Sequence, residues 1–211
     1  TKDNEKLHGE LTNHLFDFLE KRSLFPAAEF LALRILEEKS CSTESTLANK
    51  LEQYRAMKVG NTSPSLLFSG TVRKNGQVDT LFPQSIANVA ASYKLVVFGA
   101  SWCPHCPNDL LAFADHYNTW KQLGIETIFI SLDTDPRTFE SFTNPLPFYS
   151  VCDFKQWESA MVKAWHIFAT PTMFLLDDKQ RILLRPSSVT QLESYIQWHI
   201  LGKNKKELTP E

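Results

Sequence analysis

Cys103 and Cys106 stand two residues apart in the stretch LVVFGASWCPHCPNDLLAF, residues 95–113. The stretch opens with an apolar run, Leu95 to Gly99, of the kind that forms a strand covered on both faces. Helix-forming residues follow from Pro104 to Leu123, and Gly124 suits the end of that helix. The cysteines therefore fall where a buried strand gives way to a helix. A helix start presents unpaired backbone N–H groups and the positive end of the helix dipole. A cysteine there ionises more readily, and the thiolate is the species that attacks a disulfide. This reading sets Cys103 at the N-cap and Pro104 at the first helical position, where a missing N–H costs nothing. Cys106, about one turn on, can close a ring with Cys103 with little backbone movement. Cys103 is thus the candidate nucleophile and Cys106 the candidate resolving thiol. His105 adds a donor and, when protonated, a positive charge. Such surroundings lower a cysteine pKa from about 8.5 to roughly 3.5–7.5 and make the disulfide more oxidising. Pro107 falls near the fourth helical position, at the edge of where a missing N–H is tolerated.

Other chemistries of a Cys-x-x-Cys pair are weaker. A zinc site needs a second ligand pair, but His8, His14, His116, His166 and His199 are scattered and Cys41 and Cys152 are single. Haem attachment needs a histidine directly after the second cysteine, where Pro107 stands. A purely structural disulfide stays open as an alternative. Cys152, in YSVCDF, reads as a buried small hydrophobe, and Cys41 as a thiol in a loop.

The chain has 211 residues and a formal net charge of −2. Near-neutral charge argues against nucleic acid, which is bound through clustered Lys and Arg. No run of 18 or more apolar residues suggests a membrane span. The chain opens TKDNEKLHGE, which reads as a trimmed or mature fragment from which any targeting signal has been lost.

Three segments are expected. Residues 1–57 read as helical, with Leu7, Leu11, Leu15 and Phe18 as one apolar stripe. A second helix is expected over Pro26 to Glu38, with Phe30, Leu31, Ile35 and Leu36, and a third carries Leu47, Leu51 and Tyr54. After a Gly/Asn/Ser/Pro linker (residues 58–64), residues 58–202 alternate strands and helices, and a charged tail covers 203–211. Asn75-Gly76 between two β-type runs predicts a hairpin. Further strands are expected at Ile125 to Ser131, Phe148 to Val151, Met173 to Leu176 and Arg181 to Leu184. Helices are expected over residues 135–142, Gln156 to Ala164 and Thr190 to Leu201. That order predicts an α/β domain, a sheet with helices on both faces.

VVFGASWCPHC followed by ATPTMFLLD resembles the thioredoxin superfamily, and more narrowly the TlpA/ResA-like thiol–disulfide oxidoreductases of bacterial envelopes. The resemblance covers about residues 58–201. The N-terminal helices resemble, more loosely, those preceding such domains in Bacteroidetes-type envelope proteins. It implies a thioredoxin-like fold and thiol–disulfide exchange with protein substrates, in the periplasm or cell envelope. It implies that Trp102, Pro104 and His105 tune the pair, and that Pro171 is cis and, with Thr170, presents the substrate. No cofactor is implied beyond the redox-active Cys103–Cys106 disulfide, and electrons pass to or from a partner protein. The buried acid of the thioredoxin pattern, six residues before the first cysteine, is replaced by Val97. The ResA type carries a carboxylate three residues after the second cysteine, and Asp109 stands there, one helical turn from Cys106. The segment between Ile130 and Pro171 leaves room for an extra strand–helix unit. It is too short for the inserted helical domain of the DsbA-type oxidases that share CPHC. Two rival functions are a peroxiredoxin-like peroxidase, in which a Thr would occupy the position of Ala100, and a non-catalytic binding module.

Overall fold

The computed structural model describes residues 2–22, 24, 27–28, 30–32, 34 and 55–202. The chain divides into two compact units, Thr1–Asn61 and Thr62–Glu211.

In the first unit, helix α1 spans Lys2–Lys21. The stripe expected to pack, Leu7, Leu11, Leu15 and Phe18, is exposed. The face that packs carries Thr12, Phe16 and Leu19, and Phe16 and Leu19 cluster with Ala28 and Ala32. The small alanines let the two helical segments approach closely, which selects the Phe16 face over its neighbour. Ile35, Leu36, Cys41, the third expected helix and the charged tail lie outside the described residues.

The second unit is built on a seven-stranded mixed sheet. Its strands are β1 (Thr71–Lys74), β2 (Gln77–Val78), β3 (Tyr93–Gly99), β4 (Ile125–Ser131), β5 (Tyr149–Cys152), β6 (Thr172–Asp177) and β7 (Ile182–Leu184). Their order is β2-β1-β5-β4-β3-β6-β7. β3, β4 and β5 run parallel; β6, β7, β1 and β2 join antiparallel. Asn75 and Gly76 take φ of 51° and 72°, the left-handed pair that a type I′ hairpin turn requires.

Helices α2 (Cys106–Gln122), α3 (Pro136–Thr143), α4 (Ala160–Ala164) and α5 (Val189–Tyr195) surround the sheet. Leu95 and Val97 of β3 meet Leu110, Phe113, Tyr117 and Trp120 of α2 in one core. Phe98 points to the opposite face, where its ring lies 5.6 Å from that of the fully buried Trp165. Side chains alternate across a strand, so the unbroken apolar run of β3 records burial on both sides.

Two helices depart from a single regular α-helix. The one expected over Gln156 to Ala164 is broken: a 3₁₀ turn covers Gln156–Glu158, then the Ser159 hydroxyl accepts the Met161 N–H at 3.2 Å and starts α4. The last helix passes from α5 into π-type turns over Ile196–Leu201. Asp135 caps α3, accepting the Thr138 N–H at 2.7 Å.

Candidate active site

The register of the sheet gathers the candidate residues at one end. β3 pairs with β6 at Phe98↔Thr172 and with β4 at Gly99↔Ser131. The end of β3 that feeds the cysteine loop therefore lies beside Thr170-Pro171, just before β6, and beside the residues that follow β4. The Thr170–Pro171 bond is cis. Thr170 and Pro171 are half-buried, and the Thr172 hydroxyl donates to the Ala169 carbonyl at 2.7 Å.

Cys103 and Cys106 form a disulfide, with Cα atoms 5.4 Å apart. The helix does not begin at Pro104. It begins at Cys106, with His105 as N-cap, and its first bond runs from Asp109 N–H to His105 O at 3.2 Å. Cys103 lies two residues ahead of the cap, in a turn where its N–H reaches Ala100 O at 3.2 Å and its carbonyl accepts Cys106 N–H at 3.3 Å. The cause is Pro107. Were Cys103 the cap, the first helical bond would have to come from the N–H of Pro107, which does not exist. Shifted to the first turn, Pro107 loses no bond.

The disulfide is shielded. Cys103 and Cys106 are each 1 % exposed, whereas Trp102, Pro104 and His105 face solvent. Cys106 Sγ rests on Gly99: a Cβ there would come within 2.9 Å of the sulfur and 3.1 Å of the Phe129 ring. Trp102 lies beside Trp157, ring centroids 6.2 Å apart. Val97 is buried in the α2 core.

Asp109 lies in the first turn of α2 and is half-buried. Burial pushes its carboxyl above the ordinary aspartate value, and the neighbouring His105 charge opposes that rise. An acid whose pKa is raised by folding costs stability once it ionises, and costs nothing below its unfolded pKa. Asp109→Asn should therefore stabilise the protein at pH 7. The gain should vanish as pH falls below about 4, the ordinary aspartate range. Denaturant unfolding of both proteins across pH measures this.

Asp133, in DTD (residues 133–135), is a buried residue near the site that the sequence does not single out. Asp135 caps α3, but Asp133 turns inward and is 2 % exposed. Its carboxylate accepts the Ser101 hydroxyl at 2.6 Å and the Ser131 hydroxyl at 2.7 Å. The signal in the sequence is slight: Ser131 follows the apolar run Ile128–Ile130 at the end of β4, and Asp133 stands two residues on. Cys152 is fully buried, its Sγ 3.3 Å from the Asp133 carbonyl oxygen, and burial pushes the thiol up to about 11. Among the described residues, no cluster of His, Cys, Asp and Glu could hold a metal, and no helix is long and apolar enough to cross a membrane.

Residues 74–185, more than half of the sequence, match the AhpC/TSA family, and the chain belongs to that family. It is 28 % identical over 106 residues to sporulation thiol-disulfide oxidoreductase A of Bacillus subtilis (strain 168), covering 46 % of this chain and 62 % of that protein. It is 24 % identical over 135 residues to nucleoredoxin of Xenopus laevis, covering 61 % of this chain and 31 % of that protein. The chain thus spans less than two thirds of the length of either relative. Among solved structures, the thioredoxin domain of a thiol-disulfide oxidoreductase from Bacteroides vulgatus superposes with a TM-score of 0.57 at 16 % identity. The match covers 68 % of this chain and 98 % of that one. The fold is thioredoxin-like.

Proposed function

We propose that the protein is a thiol–disulfide oxidoreductase acting on protein substrates through Cys103 and Cys106, within residues 58–202. The observation that carries this reading is the Cys103–Cys106 disulfide at the strand–helix junction, at the sheet end shared with the cis Thr170–Pro171 segment. In the reducing direction the Cys103 thiolate attacks a substrate disulfide and releases one substrate thiolate, leaving a mixed disulfide. The Cys106 thiolate then attacks Cys103 Sγ and expels the second substrate thiolate. Two electrons pass to the substrate, and the pair ends as the disulfide. Asp109 takes the Cys106 proton, a role its raised pKa supports. Thr170 and Pro171 present an extended substrate by strand-like pairing. Trp102, Pro104 and His105 form the exposed rim that a substrate must pass, and they tune the pair. The redox-active disulfide is the only redox group required, with a partner protein as electron donor or acceptor. The resemblance to envelope proteins supports a periplasmic or envelope location.

The peroxidase reading is less well supported. Ala100 stands where that mechanism places a Thr, and Cys103 is already paired with Cys106. An insulin-reduction assay supplied with dithiol, run beside a peroxide-consumption assay, separates the readings. We expect turnover in the first and none above background in the second. The reverse pattern overturns the proposal, and silence in both favours a binding module.

A further inference from the structure

Asp133 is a buried acid that the exchange steps above do not use. Its carboxylate accepts the Ser101 backbone N–H at 3.2 and 3.3 Å, the Ser101 hydroxyl at 2.6 Å and the Ser131 hydroxyl at 2.7 Å. Its own N–H donates to the Ser131 hydroxyl at 3.0 Å, and its carbonyl faces the Cys152 thiol at 3.3 Å. One residue therefore joins the β3–α2 loop, the end of β4 and the end of β5. The donors to its carboxylate are all neutral, and a carboxylate taken out of water is costly unless its hydrogen bonds are replaced. The replacement is concentrated on Ser101.

Ser101 sits inside the turn that carries the nucleophile, because Ala100 O accepts Cys103 N–H. Gripping both the N–H and the hydroxyl of one residue fixes its peptide plane and its side chain together. The plane of that peptide sets the direction in which the chain leaves for Trp102 and Cys103. Cys106, by contrast, is held independently by α2 and by its seat on Gly99. The relative placement of the two sulfurs thus depends on what orients the Ala100–Cys103 turn.

We propose that Asp133 is a positioning residue for Cys103, clamping the Ala100–Cys103 turn through Ser101 so that Cys103 Sγ stays aligned with Cys106 and with an incoming sulfur. The proposal rests on reading Cys103 as the nucleophile. It makes the clamp a determinant of how readily the pair closes, because a turn held in the ring-closing geometry raises the effective concentration of one thiol at the other.

The test compares Asp133→Ala with Asp133→Asn. Both remove the charge, but Asn keeps an oxygen for the Ser101 N–H, and the serine hydroxyls can rotate to accept from its amide. A shift seen in the Ala variant and largely restored in the Asn variant therefore belongs to the hydrogen bonds and not to the charge. The readout is the equilibrium of the Cys103–Cys106 pair against reduced and oxidised glutathione, which needs no protein substrate. Asp133→Ala should move it toward the dithiol by about tenfold or more, the scale of hydrogen bonds to a charged group. It should slow insulin reduction by roughly 10²-fold, as small misplacements of reacting groups do. Asp133→Asn should recover most of both. A folded Asp133→Ala protein with the wild-type glutathione equilibrium overturns the proposal, as does equal disturbance in the two variants. If the Ala variant does not fold, Ser101→Ala, which removes one bond of the clamp, should shift the equilibrium in the same direction by a few-fold, and no shift again overturns the proposal. Should wild type fail to turn over substrate while the variants shift the glutathione equilibrium, the proposed function fails and the clamp stands.

Discussion

Replacing Cys103 with serine should abolish disulfide exchange, lowering insulin reduction by roughly 10³-fold or more, the scale on which loss of a nucleophile acts. The expectation follows from the geometry of the pair. Both sulfurs are within bonding reach, and Cys106 is enclosed by α2, Gly99 and Phe129. Cys103 lies in the loop beside exposed Trp102, Pro104 and His105. A substrate sulfur approaches from that rim, so attack at Cys103 needs less rearrangement than attack at Cys106. Cys106→Ser should behave differently from Cys103→Ser. Its Cys103 can still attack a substrate disulfide, but no thiol remains to release it, so a mixed disulfide with the substrate should accumulate. Mass spectrometry under non-reducing conditions reads this directly. If Cys103→Ser instead forms the trapped adduct, the order of attack is reversed. If Cys103→Ser keeps full turnover, the pair is not the catalytic centre.

Gly99→Ala should be the most damaging single-methyl change near the site. The added Cβ would lie 2.9 Å from Cys106 Sγ and 3.1 Å from the Phe129 ring, closer than such carbons pack. Neither neighbour has room to yield, because Cys106 and Phe129 are both buried. Overpacking of this kind costs about 1–3 kcal/mol, and for a domain of this size each kcal/mol lowers Tm by roughly 2–4 °C. The loss should be greater in the oxidised protein, where the disulfide holds the sulfur in place, than in the reduced one, where Cys106 can change rotamer. A state-dependent penalty must move the redox equilibrium, so Gly99→Ala should also favour the dithiol. Thermal unfolding of the oxidised and reduced forms checks both statements. Equal, small changes in the two states would mean that the β3 end is freer to adjust than its packing indicates.

The sheet was legible because its signals are local. The apolar run of β3, the shorter Ile128–Ile130 run of β4 and the Asn75-Gly76 turn each carry their own instruction, and each forms within two residues of its expected bounds. The start of α2 was not. The missing N–H of Pro107 acts four residues earlier, on the Cys103 carbonyl, which as a helix cap would have had no donor. Cys103 thereby left the helix cap, and its reactivity rests on the loop and on His105 more than on direct capping. α1 shows a different limit. Its sequence offers two apolar stripes, and only the packing of Phe16 and Leu19 with Ala28 and Ala32 decides which is buried. Asp133 was hidden for a third reason. An acid in a polar loop reads as solvated until the neighbouring loop is known to bring Ser101 against it.

The central claim is that Cys103, once the disulfide is opened, is an accessible thiol that ionises easily. Alkylation of the fully reduced protein across a pH series, followed peptide by peptide, tests it most directly. Cys103 should react well ahead of Cys106 and Cys152, with its half-maximal rate at a pH below about 8.5, the value of an unperturbed cysteine. A Cys103 that titrates like a free cysteine, or that stays as closed to reagent in the reduced protein as it is in the disulfide form, would contradict the account.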